Sequence, residues 1–216
     1  MCSRYGLDAT VEDLTGIFEI DLIGDGVPAP LPEARPTDAV PVVLESEQAP
    51  GRRLEAARWN LARPGQKELR RTGPPLINVR AETLAGKFGW AVQRRRCLIP
   101  ATGYWEWTGP KGARQPYFFQ GPDLLAFAGV YSWWRDPAKD DVDPSRWVLT
   151  AALLTMDAVD RLATIHDRNP VMLPADAWDD WLDPTALGTQ ALVEAAVREG
   201  RGVAERLDFA PVPRLG

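Results

Sequence analysis

Arg96-Cys-Leu-Ile-Pro-Ala-Thr-Gly-Tyr-Trp-Glu-Trp107 sets the class of this chain, because β-branched, aliphatic and aromatic residues crowd around a Pro-Ala-Thr-Gly interruption. It reads as two strands, 96–99 and 103–107, about a turn at Pro100–Gly103. The same signature continues downstream at 116–119, 125–133 and 147–154, and it also occurs upstream at 40–44, 54–61 and 76–80. Helical signals are fewer. Thr10-Val-Glu-Asp13 is a capping box opening a helix through Ile20, with Leu14, Ile17 and Phe18 as its apolar face. Ala81-Glu-Thr83 opens another on an acidic start, and 157–162, 174–182 and 185–198 complete the set. Phe209-Ala-Pro-Val212 reads as a last edge strand. The expected class is α+β, a curved or barrel-like, mainly antiparallel sheet edged by short helices.

At 216 residues and 45% apolar, the chain can bury one substantial core, so a single domain over 1–216 is expected. Its irregular parts would be a Pro-rich loop at 24–41, a loop at 135–145 and a C-terminal tail at 200–216. No run approaches the ~18–20 apolar residues of a membrane span, and the start lacks a basic stretch followed by an apolar one. A cytoplasmic protein with no membrane association is expected. Two cysteines, Cys2 and Cys97, cannot make the disulfide framework of a small secreted domain, and one histidine, His166, leaves too few ligands for a usual zinc site. Neither metal nor cofactor is expected, and a monomer is the default.

Net charge is −5, yet residues 51–114 hold fourteen Lys or Arg against four Glu, a net of +10 that leaves −15 for the rest. A polyanion could be held by that middle segment; a solvated basic surface would read the same way.

Cys2 has chemistry that an internal cysteine lacks. Removal of Met1 would put a free α-amine and a thiol on adjacent carbons, with reference pKa values of about 7.7–8.0 and about 8.5, so both nucleophiles are accessible near neutrality. An aldehyde condenses with the amine to an imine, the thiol closes on the imine carbon, and a thiazolidine results. The natural target is a carbonyl.

Three further segments carry polar groups that plain strands and turns do not need. In Asn78-Val-Arg80 the amide and guanidinium share a strand face and suit a carbonyl-like group and a phosphate, although a surface-facing strand edge reads the same way. In Gly103-Tyr-Trp-Glu106-Trp107, Tyr104 and Glu106 point one way and the tryptophans the other; burial of Glu106 would raise its pKa toward that of a general acid. The opposite arrangement, a solvated glutamate behind buried tryptophans, is the alternative. In His166-Asp-Arg168-Asn-Pro170 the chain's one imidazole lies two residues from an arginine, a pairing suited to proton transfer beside a phosphate.

Together, Met1-Cys2-Ser3-Arg4, Pro75-Leu-Ile-Asn78-Val-Arg80-Ala-Glu82-Thr83, the 96–107 segment and Ile165-His166-Asp-Arg168-Asn-Pro170-Val-Met-Leu173 resemble, in order and spacing, the SOS-response-associated peptidase (SRAP) family, whose members shield abasic sites in single-stranded DNA. The resemblance implies a single SRAP-like domain that captures the ring-opened abasic sugar on Cys2 as a thiazolidine crosslink, a lyase-like covalent chemistry, with autoproteolytic peptidase activity as a family attribute. It implies catalytic roles for Cys2, Asn78, Glu106 and His166, backbone clamps at Arg4, Arg80 and Arg168, and a base-stacking role for Trp59, for which core packing is the other reading. The partner would be abasic single-stranded DNA, with nucleoid association when bound. Departures from the family pattern are Ser3 in place of glycine, Pro32-Glu-Ala-Arg-Pro-Thr37 without the usual aromatic and amide, Arg58-Trp-Asn-Leu-Ala-Arg-Pro-Gly65 without a second tryptophan, and Asn169 in place of methionine. Two other readings stand beside it: an N-terminal-nucleophile cysteine amidohydrolase or self-processing peptidase, and a non-covalent single-strand binder.

Overall fold

A computed structural model describes residues 2–69, 73–110 and 112–213. Among the described residues eleven strands form one sheet: β1 (Arg4–Leu7), β2 (Leu22–Ile23), β3 (Leu31–Ala34), β4 (Ala39–Ser46), β5 (Ala49–Trp59), β6 (Asn78–Arg80), β7 (Arg96–Thr108), β8 (Gln115–Arg135), β9 (Trp147–Asp157), β10 (Arg168–Pro170) and β11 (Asp208–Pro211). The pairing path β8-β9-β5-β4-β7 returns to β8, so these five strands close into a barrel. A ring with an odd number of strands cannot alternate direction throughout. The unavoidable parallel pair is β5–β9, where Arg58 faces Thr150, and the other four ring pairs are antiparallel. The expected mixed class with a barrel-like, largely antiparallel sheet is what is found.

Several boundaries differ from the sequence expectation. Residues 96–107 are one strand, not two about a turn, because β8 pairs with both halves and absorbs an irregularity between Ala101 and Gly103. Pro100 is tolerated there: β4 pairs with β7 at 97–98 and β1 at 103–105, so the missing N–H falls where one flank of β7 has no neighbour. Residues 115–135 are likewise one long strand that serves the barrel through its second half and carries β11 on its first. The Pro-rich segment contains β3, which pairs with β1. Within the tail expected at 200–216, the end of a helix and β11 are found, and residues 214–216 lie outside the described residues.

Helices α1 (Val11–Ile17), α2 (Ala81–Lys87), α3 (Gly89–Val92), α4 (Trp178–Leu182) and α5 (Gln190–Glu205) lie against the sheet, with a 3-10 turn at Asp160–Thr164 replacing the helix expected at 157–162. α1 has the capping box read from Thr10 and Asp13. α5 starts five residues later than expected, capped by Thr189, because Gly188 passes so close to the Val92 carbonyl that a Cβ there would sit 1.9 Å from its oxygen. Arg96, though charged, is buried in this region and donates to the carbonyls of Val92, Gln93, Trp181, Asp183 and Ala186. The cation thus ties α3, α4 and the approach to α5 together. Among the described residues no helix is long and apolar enough to cross a membrane.

Candidate active site at the N-terminal cysteine

The beginning of the chain is drawn into the sheet. β1 lies between β7 and β3, with Arg4 opposite Trp105 and Tyr5 opposite Tyr104. Cys2, just before it, is fully buried, and its thiol donates to the Arg4 carbonyl at 3.6 Å. β6 brings Asn78 against it, and the Asn78 Nδ2 donates to the Cys2 carbonyl at 2.7 Å. The other amide atom, Oδ1, is buried with no hydrogen-bond partner among the described residues. A buried acceptor without a donor is costly. It offers a place for an N–H or O–H of a bound group.

Glu106 comes from β7 on the same face as Tyr104, both buried, while Trp105 and Trp107 are partly exposed on the other face. The predicted alternation holds, and the alternative of buried tryptophans with a solvated glutamate does not. Burial pushes the Glu106 carboxyl up to about 7, so acid and base forms are both available near neutral pH. Burial also pushes the Cys2 thiol well above its usual range, and the nearby Glu106 charge adds to that rise.

His166 approaches through the turn before β10, and the charge of its neighbour Asp167 bears on the Glu106 carboxyl. Burial lowers the His166 pKa, with the Arg168 cation acting in the same direction. Its Nδ1 accepts the Arg168 backbone N–H at 3.0 Å and also lies 2.8 Å from Asp167 Oδ1. A neutral ring cannot serve both, since one needs a lone pair on Nδ1 and the other a proton. The Arg168 amide is fixed by β10, whereas the Asp167 carboxylate is 86% exposed and solvated. Nδ1 is therefore the acceptor, and the ring proton sits on Nε2.

The arginines assigned to phosphate separate into distinct environments. Arg80 is exposed and makes no side-chain hydrogen bond or ion pair among the described residues. Arg4 is partly engaged: its Nη1 lies 2.8 Å from Glu33 Oε1 and its guanidinium stands 5.6 Å from the Trp107 ring centroid. Arg168 is not placed for a phosphate. Its side chain is 7% exposed and grips Glu82 through both Nη atoms, Asp157 through Nη1 and the Thr155 carbonyl through Nη2. Trp59 is also corrected: it is fully buried, its indole N–H donates to the Ile77 carbonyl at 3.0 Å, and its ring meets Tyr5 edge-on at 5.2 Å, leaving no face for a base. Part of the basic middle segment is paired, Arg52 with Glu45 and Asp179, Arg53 with Glu55 and Arg94 with Glu47. Cys97 is a buried core thiol, raised by desolvation. The sequence reading missed Asp157, whose role depends on a pairing across β9 and β10 that no local pattern announces.

The family profile of the SOS response associated peptidases (SRAP) matches residues 1–215. The chain belongs to the SRAP family. Among curated SRAP relatives, it is 30% identical over 191 residues to the abasic site processing protein YoqW of Bacillus subtilis, covering 85% of this chain and 81% of that protein. It is 29% identical over 222 residues to the abasic site processing protein YedK of Escherichia coli, covering 99% and 93%. In three dimensions it matches a phage-related protein of Bordetella bronchiseptica with a TM-score of 0.71 at 26% identity, over 99% of this chain and 95% of that one. A Bacteroides thetaiotaomicron protein shares the fold with a TM-score of 0.76 at 18% identity, over 98% and 92%.

Proposed function

We propose that this SRAP protein binds single-stranded DNA and captures abasic sites on Cys2 as a thiazolidine DNA–protein crosslink. The observation that carries this reading is the Asn78 amide bonded to the Cys2 carbonyl, with Cys2 buried beside a glutamate whose burial brings its pKa to about 7. The abasic-site processing of the named relatives supports the substrate class.

The chemistry follows from the groups present. Met1 is removed to free the Cys2 α-amine. The abasic sugar opens to its aldehyde as the C1′–O bond breaks: Nε2–H of His166 is suited to protonating the ring oxygen, and the C1′ hydroxyl proton passes back to that nitrogen through a water, so that the imidazole stays neutral. The amine adds to the carbonyl carbon, Glu106 in its acid form protonates the hydroxyl, and water leaves to give the protonated imine. The Cys2 thiol passes its proton to the ionised Glu106, its sulfur adds to the imine carbon, and the C=N electron pair returns to nitrogen. Aldehyde and aminothiol thus give thiazolidine and one water. Asn78 fixes the Cys2 carbonyl, so the amine and thiol meet the carbonyl carbon in a limited set of orientations. Arg80 and the remaining exposure of Arg4 supply donors for the DNA backbone. A thiol held up by burial is a poor resting thiolate, which disfavours an amidohydrolase. A cytoplasmic monomer that associates with the nucleoid through damaged DNA completes the proposal.

The test incubates the purified protein with single-stranded DNA carrying one abasic site. A shifted band that survives denaturation and is absent for Cys2→Ala is expected. Retention that salt abolishes, with no denaturation-resistant band, would leave only a non-covalent binder.

A further inference from the structure

The Glu82–Arg168–Asp157 cluster lies outside the groups that carry out the proposed chemistry, yet it is bonded to one of them. Glu82, in the first turn of α2, presents its two oxygens to Arg168 Nη1 and Nη2 at 2.8 and 2.9 Å. Asp157, at the end of β9, faces Arg168 across the β9–β10 pair and also takes Nη1. The Thr155 carbonyl accepts from Nη2 at 2.7 Å. Two elements, α2 and β9, therefore converge on one guanidinium carried by a third, β10, and the backbone N–H of the same residue is the donor on His166 Nδ1. A competing acceptor, the exposed Asp167 carboxylate, lies 2.8 Å from that nitrogen and would stabilise the opposite tautomer.

We propose that Glu82 and Asp157, acting through Arg168, are positioning residues that hold the His166 ring with its proton on Nε2, against the pull of Asp167. The guanidinium anchors the start of β10 so that its amide, rather than a solvated carboxylate, decides which ring nitrogen carries the proton. Hydrogen bonds to charged groups are among the stronger ones, and the two-oxygen fork fixes direction as well as distance. The arrangement also explains why an arginine next to the site histidine is turned inward. The inference rests on the reading of His166 as the residue that delivers a proton to the sugar.

The chain's single histidine gives one pair of imidazole nitrogen resonances, so ¹⁵N NMR of histidine-labelled protein reads the tautomer directly. The parent protein is expected to show a protonated Nε2 and an unprotonated Nδ1. Glu82→Gln replaces one accepting oxygen of the fork with a donor; it should populate the Nδ1–H form and slow adduct formation roughly tenfold, the scale of a modest misplacement of a catalytic group. Asp157→Asn is the second variant, disturbing the other flank of Arg168 should the first not fold. Adding Asp167→Ala to Glu82→Gln should restore the Nε2–H form, which a merely structural role for Glu82 would not produce. An unchanged tautomer in the folded variants, or no restoration on removing Asp167, overturns the proposal. Because the tautomer is read without DNA, absence of any adduct in the parent would refute the proposed function while the spectra still decide the positioning role.

Discussion

Glu106 offers the sharpest link between burial and chemistry. Its carboxyl is 3% exposed and pushed by desolvation from the usual 4.5 to about 7. A shift of that size corresponds to about 3 kcal/mol of differential stability between its two protonation states. Between pH 4.5 and 7 the folded protein holds the proton more tightly than the unfolded chain does. Stability contributed by the neutral carboxyl is complete below about 4.5 and is lost as pH rises through about 7. Glu106→Gln substitutes a neutral amide of the same shape. Urea unfolding of parent and variant should therefore give similar stabilities near pH 4.5 and diverge by about 3 kcal/mol in favour of the variant by about pH 8. The variant should also form adduct far more slowly, by about 10²-fold or more, because the amide neither gives nor takes a proton. A stability difference that stays flat across that pH range, or an unchanged adduct rate, would refute the assignment.

Arg80→Ala removes an exposed cation with no internal partner among the described residues, so binding to undamaged single strands should weaken across all sequences and the salt slope should fall by about 0.7; an unchanged slope measured by fluorescence titration would remove Arg80 from the DNA contact. Trp59→Ala should cost about 4 kcal/mol of stability through lost core packing, while the folded fraction keeps its DNA affinity; an affinity loss without a stability loss would return Trp59 to the DNA surface. Asn78→Ala should leave DNA binding intact and slow adduct formation, since it releases the Cys2 carbonyl; single-turnover rates against binding isotherms separate the two effects.

The strands were legible because alternation of apolar and polar residues reports a half-buried sheet directly, as Glu106 between two outward tryptophans illustrates. Their continuity was not legible. Pro100 and the glycine after it read as a turn, and only the flanking strands reveal that the proline's missing N–H faces an unpaired stretch of β7. The candidate catalytic groups were identifiable by type and motif, but partner choice was hidden. Arg80 and Arg168 look alike in sequence; one is exposed and the other is enclosed by Glu82, Asp157 and the Thr155 carbonyl. Trp59 shows the same ambiguity, since a tryptophan at a strand end packs inward or stacks outward with the same local pattern, and the Ile77 carbonyl decides. Gly188 shifted the start of α5 through a backbone approach that composition does not encode.

Intact-mass spectrometry of the denatured crosslink tests the central claim most directly. The account predicts a species equal to the chain lacking Met1 plus the abasic oligonucleotide minus one water, with fragmentation placing the sugar on Cys2. A crosslinked species that retains Met1, or one whose sugar maps to any residue other than Cys2, would contradict it.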